Sequence, residues 1–188
     1  MATTRYLILL RGINVGGRNK VPMAALRDLL ESHGHTKVST YIASGNVILT
    51  SDRSASAIKR ELEDALPRVF KLDSELVAVL VLTLTELRAV VRDRPKGFGD
   101  QPDTYHSDVI FLMGIDAETA MQVFDPRPDV DEVWPGKGVI YSQRLSAQRT
   151  KSRLSKIVGT PAYRSMTIRN WATTTALLER MEALGDEA

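Results

Sequence analysis

Hydrophobic and polar positions along this chain fall into two rounds of one repeated order. Tyr6-Leu7-Ile8-Leu9-Leu10 is a short unbroken apolar run bounded by a loop, which predicts a buried strand. Past the loop, Pro22 suits a first helical position, and Met23, Leu26, Leu29 and Leu30 recur at helical spacing up to a stop near Gly34. Two further strands, 38–43 and 47–50, flank Ser44-Gly45-Asn46, whose glycine and asparagine are what a tight hairpin turn requires. Residues 54–70 predict a second helix with Ile58, Leu62, Leu66, Val69 and Phe70 turned inward, and 76–82 a fourth strand.

A connecting helix over 85–93 leads into the polar stretch 94–104, rich in Pro, Gly and Asp, which reads as a boundary. The order then begins again. Residues 108–113 predict a strand, Asp116 caps a helix running to Phe124, and strands 130–134 and 139–142 pair across Pro135-Gly136-Lys137-Gly138. Residues 150–158 predict a helix and 166–169 a short closing strand. Asn170 caps a last helix, with Trp171, Thr174, Leu178 and Met181 on one stripe before Gly185 ends it. The expected architecture is therefore α+β: a tandem duplication of ferredoxin-like β-α-β-β-α-β units with a C-terminal helix. The expected domains are a first half with its connecting helix (1–93), a linker (94–104) and a second half with the last helix (105–188).

Composition narrows the classes. At 188 residues and 43% apolar content the chain can bury a substantial core. It has no cysteine, which removes disulfides, thiolate nucleophiles and cysteine metal sites, and the opening apolar run is too short for a signal peptide. No apolar run approaches the length of a membrane span, so a cytoplasmic address without a membrane partner is expected. His33 and His35 flank Gly34 with no third ligand in view, and no metal or cofactor is expected.

Charge is distributed unevenly. The windows 1–27 and 133–178 hold five and eight of the 25 cations and no acid, leaving twelve cations against all 23 acids elsewhere. Two basic windows in an otherwise acidic chain suggest a polyanionic or phosphorylated partner, either an anionic small molecule or a nucleic acid. The first window contains Arg11-Gly12-Ile13-Asn14-Val15-Gly16-Gly17-Arg18-Asn19-Lys20, a basic glycine-rich loop before a helix start, the makeup of an anion site. It lacks the Gly-Lys-Ser/Thr of a P-loop and the spacing of the dinucleotide fingerprint. Parallel first and second strands would put this loop and the 44–46 hairpin at one end of a sheet; Arg144 to Lys151 would share an end with Arg169-Asn170-Trp171 in the second sheet. The candidate ligand-binding residues are Arg11, Asn14, Gly16, Gly17, Arg18, Lys20, Tyr41, Ser44, Asn46, Arg169 and Asn170, expected around a basic cleft between the halves.

Three stretches carry a family resemblance. Leu9 to Gly17, Thr40 to Val47 and Thr167 to Thr173 resemble the three signatures of the bacterial family named domain of unknown function 1697. The resemblance implies a duplicated ferredoxin-like fold and no established activity. Ala43 stands where the family pattern usually carries an amide residue, and Ala172 where it usually carries Asn. Three functional readings are open: a binding protein for a phosphorylated or otherwise anionic ligand held by Arg11, Lys20 and Arg169; a metal-independent enzyme using Ser44, Tyr41 or His106 for proton transfer; and an interaction module without a small-molecule site. No catalytic residue is assigned.

Overall fold

The apolar run at the start of the chain becomes the inner strand of a sheet because flanking strands pair along both of its edges. In the computed structural model, which describes residues 3–72 and 77–185, the first elements are β1 (Thr4–Arg11), α1 (Met23–Ser32), β2 (Thr36–Tyr41), β3 (Asn46–Ser51), α2 (Ala55–Val69), β4 (Ala78–Thr83) and α3 (Leu84–Arg92). They are followed by β5 (Tyr105–Leu112), α4 (Ala117–Met121), β6 (Asp131–Gly136), β7 (Val139–Leu145), β8 (Met166–Asn170) and α5 (Trp171–Ala183). The predicted strand start at Leu76 lies outside the described residues.

The structure is mixed α+β with two four-stranded sheets, ordered β2-β3-β1-β4 and β6-β7-β5-β8, in which every neighbouring pair is antiparallel. The chain divides into two compact units, residues 1–88 with 177–188 and residues 89–176. The stretch 94–104 belongs to the second unit and carries Phe98, which is fully buried edge-on against Trp134, Tyr141 and Trp171. No described helix is long and apolar enough to cross a membrane.

In the first unit Ile8, Leu10, Val47 and Leu49 pack under Leu26 and Leu30 of α1 and Ile58, Leu62 and Leu66 of α2. Ser54 caps α2 by accepting from Ala57 N at 3.2 Å, and Pro22 occupies the N-cap of α1, one position outside the helix. The other face of β1, with Leu7 and Leu9 buried, also carries Arg5, whose Nη1 donates 3.0 Å to Met181 O in the last turns of α5.

The second unit departs from the predicted pattern in one element. Residues 150–158 do not form an α-helix. Three 3₁₀ turns (Ser146–Lys151, Leu154–Gly159, Pro161–Ser165) stand there instead, broken by extended backbone at Ser152 and Thr160. Only Leu154 and Ile157 of this segment are buried apolar residues, too few for the stripe that stabilises a helix against a sheet. In α5 the buried stripe is Thr173, Thr174, Leu177 and Met181, so Leu177 takes the place expected for Leu178.

Candidate functional site

The glycine-rich loop leaves β1 at the end of the sheet where β2 turns into β3, and its amides are spent on holding itself there. Asn14, at φ 54°, donates through Nδ2 to Val21 O (3.0 Å) and Ala43 O (2.8 Å) and accepts from Val21 N (2.9 Å). Asn19, at φ 47°, is buried and donates to Gly12 O at 2.8 Å. Both asparagines adopt the left-handed conformation that this residue type tolerates best among those bearing a side chain. At the tip Arg18 N donates to Val15 O, and Gly16, Gly17, Arg18 and Lys20 are exposed. Among the described residues, the Arg18 and Lys20 side chains make no hydrogen bond or ion pair.

The hairpin is closed the same way. Asn46 is fully buried and donates to Tyr41 O (3.0 Å) and to Ser44 Oγ (2.9 Å), so both side chains serve the turn. Gly45 is required twice over: φ is +78°, and a Cβ there would lie 2.8 Å from side-chain atoms of Leu10 and Ile13. The Tyr41 ring carries the Arg180 guanidinium 4.5 Å from its centroid, so a cation covers one of its faces. The structure thus gathers Arg11, Asn14, Gly16, Gly17, Arg18, Lys20, Ser44 and Asn46 at one end of the first sheet, with Tyr41 at the end of its edge strand.

In the second unit Arg169 is 8% exposed and donates to Thr167 Oγ1 (3.0 Å) and Ile168 O (2.8 Å); burial lowers its pKa to about 10. Asn170 Oδ1 accepts from Thr173 N at 2.7 Å, the helix cap the sequence suggests. Trp171 packs on Phe98 and under the Arg94 guanidinium. Arg169 pairs with Val109 across β5 and β8, so it stands on the opposite sheet face from Ile110 and Ile168.

That second face holds the feature sequence reasoning missed. Asp108, Ile110, Ser142, Arg144 and Ile168 point to the same side of β5, β7 and β8, with Asp108 opposite Ser142 and Ile110 opposite Ile168. The 3₁₀ segment supplies the facing wall from Arg149, Ser152, Leu154, Ser155, Ile157 and Val158. Between them lies a cavity of about 340 Å³, a volume suited to a small molecule.

Three charged side chains line it. Arg144 Nη1 is 3.6 Å from Asp108 Oδ2, and His106 Nε2 lies 3.1 Å from Asp108 Oδ1. Arg149 is exposed, and its guanidinium has no ion pair or hydrogen bond among the described residues. Its neighbours in sequence, Arg153 and Lys156, are both taken up by Asp125. The acid-free window 133–178 signalled Arg144 and Arg149, whereas no local pattern showed that Asp108 and Ser142 would meet them. Among the described residues no group of three His, Asp or Glu is arranged to hold a metal ion.

Comparison with known proteins places the chain. A solved conserved bacterial protein from Streptococcus pneumoniae is 29% identical with a TM-score of 0.80, over 96% of this chain and 99% of that one. No curated protein matches. The family model described as "Protein of unknown function (DUF1697)" matches residues 3–141, which takes in the glycine-rich loop, the hairpin and the first strands of the second unit. The chain belongs to the DUF1697 family of proteins of unknown function.

Proposed function

We propose that this protein binds a small anionic molecule, phosphorylated or otherwise, in the cavity of the second unit. One observation carries the reading: Ser142, 3% exposed, turns into the cavity a hydroxyl with no hydrogen-bond partner among the described residues, and Arg149 stands at the same cavity with its guanidinium equally unengaged. Both groups are open to the cavity and can donate, so an anion there can accept a hydrogen bond from each.

The same order of strands in both sheets supports a finer fold assignment, two ferredoxin-like copies of one unit. Likeness to a bacterial protein and the cysteine-free composition support a bacterial, cytoplasmic setting. At the first sheet, the exposed Arg18 and Lys20 support a weaker, salt-dependent contact with nucleic acid.

Titration calorimetry of the full chain with inorganic phosphate, phenyl phosphate and octanoate tests the cavity. The expected outcome is that at least one of them binds, and that combining Arg149→Ala with Ser142→Ala weakens it about 100-fold or more, the loss of two hydrogen bonds to a charged group. Affinity unchanged by both substitutions, with the melting temperature intact, removes the reading.

A further inference from the structure

We infer that the ligand of this cavity is a monoanion with an apolar body, an aliphatic or aromatic monocarboxylate. The inference rests on the anion-binding reading and narrows it. Of the charged cavity residues, Arg144 is already committed to Asp108, and both side chains are largely buried. Arg149 is left as the one uncompensated charge among Asp108, Arg144 and Arg149. One carboxylate cancels it, through the two parallel hydrogen bonds that a guanidinium offers. A phosphate monoester carries close to two negative charges above pH of about 7. It would leave one of them unbalanced in the cavity that Asp108 lines, where partial burial weakens solvent screening.

The walls point the same way. Ile110 and Ile168 on the sheet side and Leu154, Ile157 and Val158 on the other offer nothing to hydrogen-bond. The uncharged polar groups in the lining are the hydroxyls of Ser142, Ser152 and Ser155, and Ser152 Oγ already accepts from Leu154 N at 3.3 Å. A sugar or a nucleobase buried there would leave most of its donors and acceptors unpaired, whereas a hydrocarbon chain or a phenyl ring loses nothing. Ser142, directly across from Asp108, is placed to donate to the second carboxylate oxygen or to a hydroxyl substituent.

The test uses matched ligands on the full chain at pH about 8, where phosphate monoesters are dianions: 3-phenylpropanoate against phenyl phosphate, with octanoate and adenosine monophosphate alongside. The expected result is that 3-phenylpropanoate or octanoate binds about tenfold or more tightly than phenyl phosphate, and that Arg149→Ala removes about that factor. Asp108→Asn, which deletes the carboxylate charge and frees Arg144, is expected to narrow the gap by strengthening the phenyl phosphate dianion more than the carboxylates. Equal or tighter Arg149-dependent binding of phenyl phosphate or adenosine monophosphate overturns the inference and leaves the anion-binding reading standing. Binding of the carboxylates that ignores Arg149 overturns it too. No Arg149-dependent binding of any of the four overturns both.

Discussion

His35 is buried at 3% exposure with both ring nitrogens engaged, Nδ1 with Ser51 Oγ at 3.0 Å and Nε2 with Glu61 Oε1 at 2.8 Å. His33 Nδ1 lies 2.9 Å from the same carboxylate oxygen, and Arg53 holds the other oxygen. The Glu61 contact favours an imidazolium, but that carboxylate is shared among three cationic or basic groups, and burial dominates. Burial first, then the charges of Arg53 and His33, lower the His35 pKa below its usual 6.5. The sign follows: at neutral pH the ring is uncharged in both states, and as pH falls below about 6.5 the unfolded chain takes up a proton that the folded one resists. Stability is therefore present in full above that pH and declines below it, with a slope of at most ~1.4 kcal/mol per pH unit from this residue. Urea unfolding between pH 5 and 8 is expected to show this acid limb, flattened in His35→Gln; an equally steep limb in the variant would show that other groups set it.

At the scale of elements, α2 and the 3₁₀ segment cover their sheets differently. The 15 residues of α2 bury Ile58, Leu62 and Leu66 on one stripe, closing the helix side of the first sheet. The segment 146–165 carries Gly159, Pro161 and a run of Ser, Thr and cations, and it closes less of the second sheet. Its position depends on Asp131, whose Oδ2 accepts from Arg127 N (3.0 Å) and Arg153 N (2.8 Å) while Oδ1 is buried without a partner. Asp131→Ala loses both bonds but also removes the orphaned oxygen, so a net cost of about 1–3 kcal/mol is expected. Hydrogen exchange over residues 146–159 should accelerate selectively, with weaker binding at the cavity because Arg149 sits on this segment. Unchanged protection there would mean that Leu154 and Ile157 alone hold the wall.

At the scale of the whole molecule, the chain does not divide at one point: the first unit is completed by residues 177–188, after the chain has built the second. Leu177 and Met181 are buried, Arg5 donates to Met181 O and Glu182 O, Lys37 donates to Leu184 O, and Arg88 pairs with Glu182 at 2.8 Å. Ending the chain at Ala176 removes two buried apolar side chains, worth about 2–5 kcal/mol each. The amides of β1 are expected to lose protection against hydrogen exchange. Both tryptophans, Trp134 and Trp171, lie in the second unit, so fluorescence-monitored urea unfolding reports that unit separately. Undiminished protection in β1 would show that the first unit stands without its returning helix.

The sequence by itself determined what local physics decides. Strand and helix periods, the caps at Asp116 and Asn170 and the left-handed stops at Gly34 and Gly185 each depend on residues a few positions apart, so their order along the chain was legible. The two acid-free windows were legible for the same reason, and they include Arg144 and Arg149. Tertiary structure alone decided three further things. Asn14 and Asn46, which read as ligand donors, close their own loops because Val21, Ala43 and Tyr41 come within reach. The segment at 150–158 is broken where Asp131, distant in sequence, accepts from Arg153 N just after the extended residue Ser152. The cavity exists because Asp108, Ser142 and Ile168 meet through strand register across 60 residues and are then incompletely covered. Register and leftover volume are properties of long-range packing, and no window of the chain contains them.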